Sequence, residues 1–196
     1  MSRRFIEKVI SLDDKSEDVK IYEKWKEFLE KIEKKESIQN INLAMNFLIV
    51  LPIKMIEDMN RMKRLQKLSF AVNKLIAVPQ TIFSLTGLQE LNFSDNQIRY
   101  IPKEISLLTG LENLDFSNNQ IRCIPSEIRF LSQLKVLRIE NNQIADLSPE
   151  MSQMSNLRMI FLRGNDRLED KFHLSLIRNL FVIFDFFFKT NIRLRG

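Results

Sequence analysis

The residues able to do chemistry in this chain are few. His173 is the only histidine, and no nucleophile or orienting carboxylate can be placed near it, so it reads as solvated or packed rather than as a base. Cys123 follows Arg122, a neighbour that can lower a thiol pKa. Without a histidine partner, a lone cysteine reads as structural. One cysteine and one histidine cannot complete an ordinary zinc site. The carboxylates show no calcium-loop spacing. Of the four glycines, Gly87, Gly110, Gly164 and Gly196, none belongs to a phosphate-cradling loop. Arg99 and Arg122 occupy one repeat position and should stack about 5 Å apart. Two arginines make little local potential, so they read as a solvated edge beside Gln97, Gln120 and Gln143 rather than as an anion site. The expectation is therefore no enzyme, no cofactor and no metal.

The elements that hold these residues repeat. Leu65, Leu88, Leu111, Leu134 and Leu157 stand 23 residues apart, and each opens the template L-x-x-L-x-L-x-x-N-x-L-x-x-L-P. One copy reads Leu111, Leu114, Phe116, Asn119, Ile121, Ile124, Pro125. A fixed period of this length marks a stacked array, and it outranks local propensity. A degenerate first copy starts at Ile38 and runs through Ile41, Leu43, Asn46, Leu48, Leu51 and Pro52, with a four-residue insertion near Glu57–Met62. Repeat five departs from the pattern at Leu147-Ser148-Pro149, where the proline sits one place late, and repeat six loses it at Asp166-Arg167-Leu168.

Each template position has a physical task. Leu114 and Phe116 lie two apart, so in a strand they share a side and enter the core. Asn46, Asn73, Asn96, Asn119, Asn142 and Asn165 can bond backbone groups across the turn. Ile121 and Ile124 return the chain to the interior. Proline then fixes φ and opens the outer face, where Glu127 to Leu131 suits a short helical turn.

Periodicity and asparagine placement resemble the leucine-rich repeat family over about residues 38–168. The 23-residue units with I-P-x-E-I turns look like the intracellular group typified by Ras-pathway scaffold proteins. That resemblance implies an α/β solenoid, a curved parallel sheet on its concave side, and protein partners bound there.

The flanks are read from pattern alone. Residues 1–37 are assigned to an N-terminal helical cap, 38–168 to about six repeats, and 169–196 to a hydrophobic C-terminal cap or tail. Ile21, Tyr22, Trp25, Phe28, Leu29 and Ile32 form one stripe between Ser16 and Lys35, with a shorter helix expected at residues 3–10. Closing the front of the solenoid is favoured over a coiled-coil or partner-docking role, because the stripe lacks sustained heptads. Phe186-Phe187-Phe188 could be buried, could touch lipid or could mark a truncated end; a cap is the default.

Charge narrows the partners. The net charge is +5, yet residues 1–36 carry ten basic and ten acidic side chains and residues 65–164 carry ten and nine, so no basic face emerges. The cluster Arg61, Lys63, Arg64, Lys67 is small, and nucleic acid is not expected. The lone cysteine and the early charges of Met1-Ser2-Arg3-Arg4-Phe5-Ile6-Glu7 point to a reducing, cytoplasmic setting. Leu174 to Phe188 is too short and too charged to span a bilayer, so a membrane partner is disfavoured.

The strand pattern maps the docking face. Its central column runs Asn42, Ser69, Asn92, Asp115, Arg138, Phe161. Two before stand Asn40, Lys67, Glu90, Asn113, Val136, Met159; two after stand Ala44, Ala71, Ser94, Ser117, Glu140, Arg163. The partner-contacting residues expected from this map are Glu90, Asn92, Asp115, Val136, Arg138, Glu140, Met159, Phe161 and Arg163. Aromatic, methionine and arginine side chains at the rear match interface hot spots, although the C-terminal tail could instead cover them. The function expected is a non-enzymatic interaction scaffold or adaptor, monomeric by default. The alternatives are a recognition arm of a larger signalling or enzymatic protein, or a peripheral membrane adaptor using the phenylalanine-rich tail.

Overall fold

A computed structural model describes residues 8–9, 18–30 and 37–169. Six repeats each contribute one short strand: β2 (Asn40–Asn42), β3 (Lys67–Ser69), β4 (Glu90–Asn92), β5 (Asn113–Asp115), β6 (Val136–Arg138) and β7 (Met159–Phe161). They pair in parallel and in sequence order, each shifted by one repeat: Ile41 lies beside Leu68, Leu68 beside Leu91, and so to Leu137 beside Ile160. The middle residue of every strand is buried and its neighbours are more exposed. That alternation is the period-two signature of a sheet with one face on a core.

Strand β1 (Lys8–Val9) adds to the free edge, with Lys8 beside Ile41 and Val9 beside Asn42. The shorter helix expected at residues 3–10 is therefore corrected in its described part. An extended segment satisfies the edge backbone groups of β2, which a helix there would leave open. Helix α1 (Asp18–Glu30) lies within the span expected from the apolar stripe. Trp25 and Leu29 enter the same core as the repeats, and Trp25 Nε1 donates to Asp58 Oδ2 at 3.0 Å. Asp58 belongs to α2 (Ile53–Asn60), whose Met55, Ile56 and Met59 are buried. Later repeats place a 3-10 turn on this outer side, at Gln80–Ser84, Lys103–Leu107, Ser126–Phe130 and Pro149–Gln153. The four extra residues of repeat one are what lengthen this turn into an α-helix. A last short helix, α3, spans Asp166–Glu169.

Phe70, Phe93 and Phe116 stack along the axis, with ring centroids 5.2 and 5.3 Å apart. All three are fully buried. Each such side chain is worth about 1.5–3 kcal/mol of transfer from water. Beside this spine runs the asparagine column. Asn119 Oδ1 accepts from Ile98 N at 2.9 Å, and its Nδ2 donates to Phe93 O at 2.9 Å, both in the repeat before. Asn73, Asn96, Asn142 and Asn165 do the same one repeat away. These side chains are buried, so each replaces water for backbone groups that would otherwise be stranded.

The residue before each asparagine of the column, Asn46 included, is left-handed: Met45 (φ 61), Val72 (55), Asp95 (55), Asn118 (54), Asn141 (51) and Gly164 (72). Asparagine, aspartate and glycine accept this conformation readily, whereas most other side chains lose about 1–2 kcal/mol in it. The last four positions obey that preference; Met45 and Val72 do not.

Candidate functional site

The repeat register sets neighbouring concave side chains about 4.8 Å apart along the array. At the front, Asn40, Asn42 and Ala44 are small and half-buried. In the middle, Glu90 accepts from Lys67 Nζ at 2.6 Å, and Asn92 Oδ1 accepts from Ser94 N at 2.7 Å. Asp115 Oδ1 accepts from Ser117 N at 2.8 Å and from Ser117 Oγ at 2.7 Å. Glu90 and Asn92 are thus engaged within the chain, some strands from the rear cluster.

The rear residues do come together. Val136 stands beside Met159, and Arg138 beside Phe161. The Arg138 guanidinium centre lies 4.0 Å over the Phe161 ring centroid, close enough for a cation–π contact. Its Nη1 is 3.7 Å from Glu140 Oε1. Asp115 pairs with Arg138 in register from the other side. Arg163 is exposed and Glu140 half-buried. Glu140 Oε2 is buried with no hydrogen-bond partner among the described residues. Burial pushes the Glu140 carboxyl above its ordinary value, with the charge of Asp115 adding to the rise and that of Arg138 opposing it.

Some features escaped the sequence map. Lys135 Nζ reaches Glu112 Oε2 at 2.6 Å on the flank of β5 and β6. Opposite charges 23 residues apart were the available signal, as they were for Lys67 and Glu90. Of the basic cluster near residue 64, Lys67 is tied to Glu90, and Arg61 lies 3.4 Å from Asp58. Cys123 is exposed on the turn edge. No group of metal-ligating side chains occurs among the described residues, and no described helix is long and apolar enough to cross a membrane. His173, the phenylalanine run and the tail that could cover Phe161 lie outside the described residues.

A family model described as "Leucine rich repeat" matches residues 63–121. No curated protein sequence matches the chain. Solved structures do. A leucine-rich repeat protein of Leptospira interrogans is 31% identical with a TM-score of 0.66, covering 76% of this chain and 38% of its own. The leucine-rich repeat domain of the type III effector XopL is 28% identical with a TM-score of 0.60, covering 68% of this chain and 47% of its own. The plant peptide hormone receptor RGFR1, solved in complex with RGF2, is 30% identical with a TM-score of 0.57, covering 66% of this chain and 21% of its own. This chain thus spans less than half the length of each. These likenesses reach the repeat family and its fold, and none of the three singles out the Ras-pathway group.

Proposed function

We propose that this chain, a leucine-rich repeat solenoid, is a non-enzymatic scaffold or adaptor that holds a protein partner on its concave face. The observation carrying the proposal is the half-buried Phe161 ring under the Arg138 guanidinium, flanked by Val136, Met159 and the desolvated Glu140. Aromatic and arginine side chains in this arrangement are the usual anchors of protein interfaces. The rigid sheet holds them in place before any partner arrives, which lowers the ordering cost of association. The neighbour solved with RGF2 is a peptide hormone receptor, which supports recognition of a polypeptide by this fold. A lone exposed cysteine suits the reducing, cytoplasmic setting expected for such an adaptor.

A recognition arm within a larger protein is the second reading. It is favoured by the XopL neighbour, which is itself the leucine-rich repeat domain of an effector.

The test places a photo-crosslinking residue at position 161 on the concave face or at the outer position 107. Crosslinked proteins specific to position 161 are expected. Phe161→Ala and Arg138→Ala should each weaken capture of the same protein about tenfold or more. Equal capture from both faces, or full binding by the folded double variant, defeats the proposal.

A further inference from the structure

The turn edge carries a surface that concave recognition does not use. Around the ladder asparagines of repeats one to four, the preceding residue and the first and third residues after it face outward. In repeats three and four these are polar: Asp95, Gln97 and Arg99, then Asn118, Gln120 and Arg122. In the first two repeats the same edge shows Met45, Phe47, Ile49, Val50, Val72 and Ile76. Met45 is 69% exposed, Ile49 58%, and Phe47 and Ile76 53% each, so no described part of the chain covers them.

Folding does not ask for these residues. Met45 (φ 61) and Val72 (φ 55) stand in the left-handed slot that later repeats fill with aspartate, asparagine or glycine. Val72 is also β-branched, the type that tolerates this backbone worst. Apolar side chains are held outward in a conformation that disfavours them, which points to a contact made by the surface itself.

The border identifies the chemistry of that contact. None of the six side chains can form a conventional hydrogen bond, whereas protein interfaces of useful size carry several. Lys74 Nζ lies 5.4 Å over the Phe47 ring. Arg99 and Arg122 continue the column begun by Ile49 and Ile76, with the half-exposed Tyr100 beside them. Asp95, the acid on this border, has its Oδ1 held by Asn118 Nδ2 at 2.9 Å. An apolar tip followed by a collar of cations and a tyrosine is the order in which a bilayer presents hydrocarbon and then anionic headgroups.

We propose that the turn edge of repeats one and two docks onto an anionic phospholipid surface, with the apolar tip at the acyl boundary and Lys74, Arg99 and Arg122 at the headgroups. The concave sheet stays free in this pose, so the inference stands apart from the protein-partner reading.

The experiment is flotation of the full chain with phosphatidylcholine vesicles, with and without phosphatidylserine. Binding is expected to need the anionic lipid and to weaken with salt. Ile49→Ser with Ile76→Ser should lower the floated fraction about tenfold. Val72→Asn should lower it too while keeping or raising the thermal midpoint, an outcome that separates lost contact from lost fold. Lys74→Ser with Arg99→Ser should remove the dependence on phosphatidylserine. Three results overturn the proposal: no flotation of the parent chain, variants that float like the parent and so assign binding elsewhere, or a concentration-dependent dimer that the same variants dissociate.

Discussion

The two ends of the array are opposites on the outside and alike within. Repeats one and two show apolar side chains at the turn edge and small or polar ones on the concave sheet. Repeats five and six reverse this: Asn141 and Gln143 hold the edge, and Val136, Met159 and Phe161 occupy the sheet. Both ends share the buried asparagine column and one continuous core. The period thus constrains the interior and leaves each outer column free to vary repeat by repeat. A feature on the outside that breaks its column therefore asks for a reason other than folding.

The sharpest contrast sets an inner phenylalanine against an outer one. Phe93→Ala removes the middle ring of the stack and opens a cavity between two repeats, so stability should fall by about 3–5 kcal/mol. Phe161→Ala removes a half-buried surface ring and should lower stability by about 1 kcal/mol. Urea unfolding of the two variants measures the difference. Similar losses would show that Phe161 is core, and the rear patch would cease to be a surface.

Adjacent asparagines give the next contrast. Asn119→Ala leaves the buried Ile98 N–H without its acceptor and takes one of two donors from the carbonyls of Phe93, Phe116 and Ser117, at an expected cost of about 1–3 kcal/mol. Asn118, one residue away, is exposed and bonds along the surface to Asp95 and Asn141. Asn118→Gly, which keeps a residue tolerant of the left-handed backbone, should cost about 0.5 kcal/mol. Equal midpoints in urea would mean that the buried column does not bind repeat to repeat.

Much of this was legible in the sequence because the period was. Strand positions, the direction of Leu114 and Phe116, the asparagine column and the outer turn after each proline all follow from one template. The exceptions have local causes. The strand at Lys8–Val9 depends on a partner edge far along the chain, which no short-range pattern announces. The rear cluster was readable as residue types, but the Arg138–Phe161 contact and the Glu140 oxygen without a partner among the described residues depend on rotamers. The apolar edge was visible in principle, as Met45 and Val72 in a column of aspartate, asparagine and glycine. It becomes informative once the left-handed backbone is known.

That backbone supplies a contrast of opposite sign. Val72→Asn places a tolerant residue in the left-handed slot of repeat two and should raise stability by about 1 kcal/mol. Asn118→Val makes the reverse exchange in repeat four and should lower it by at least that much, because two side-chain hydrogen bonds are lost as well. Thermal midpoints of the pair decide it. Two changes of the same sign would show that the slot does not select residues by backbone preference.

The smallest effect concerns Glu140, the rear carboxyl raised mainly by burial. A group whose folded pKa lies above its unfolded value of 4.5 binds its proton more tightly in the folded state. Its contribution therefore favours folding at low pH and declines as pH rises from 4.5 through the folded value. Glu140→Gln removes that decline. At neutral pH the variant should be as stable as the parent or more so, by less than about 1 kcal/mol, since the group is partly exposed and the loss of Arg138's attraction offsets some of the gain. Below pH 4.5 the two proteins should converge, because both then present a neutral side chain. Urea midpoints across this range test the sign. A variant less stable than the parent at neutral pH would mean that Arg138 outweighs burial, and that Glu140 serves the sheet rather than standing ready for a partner.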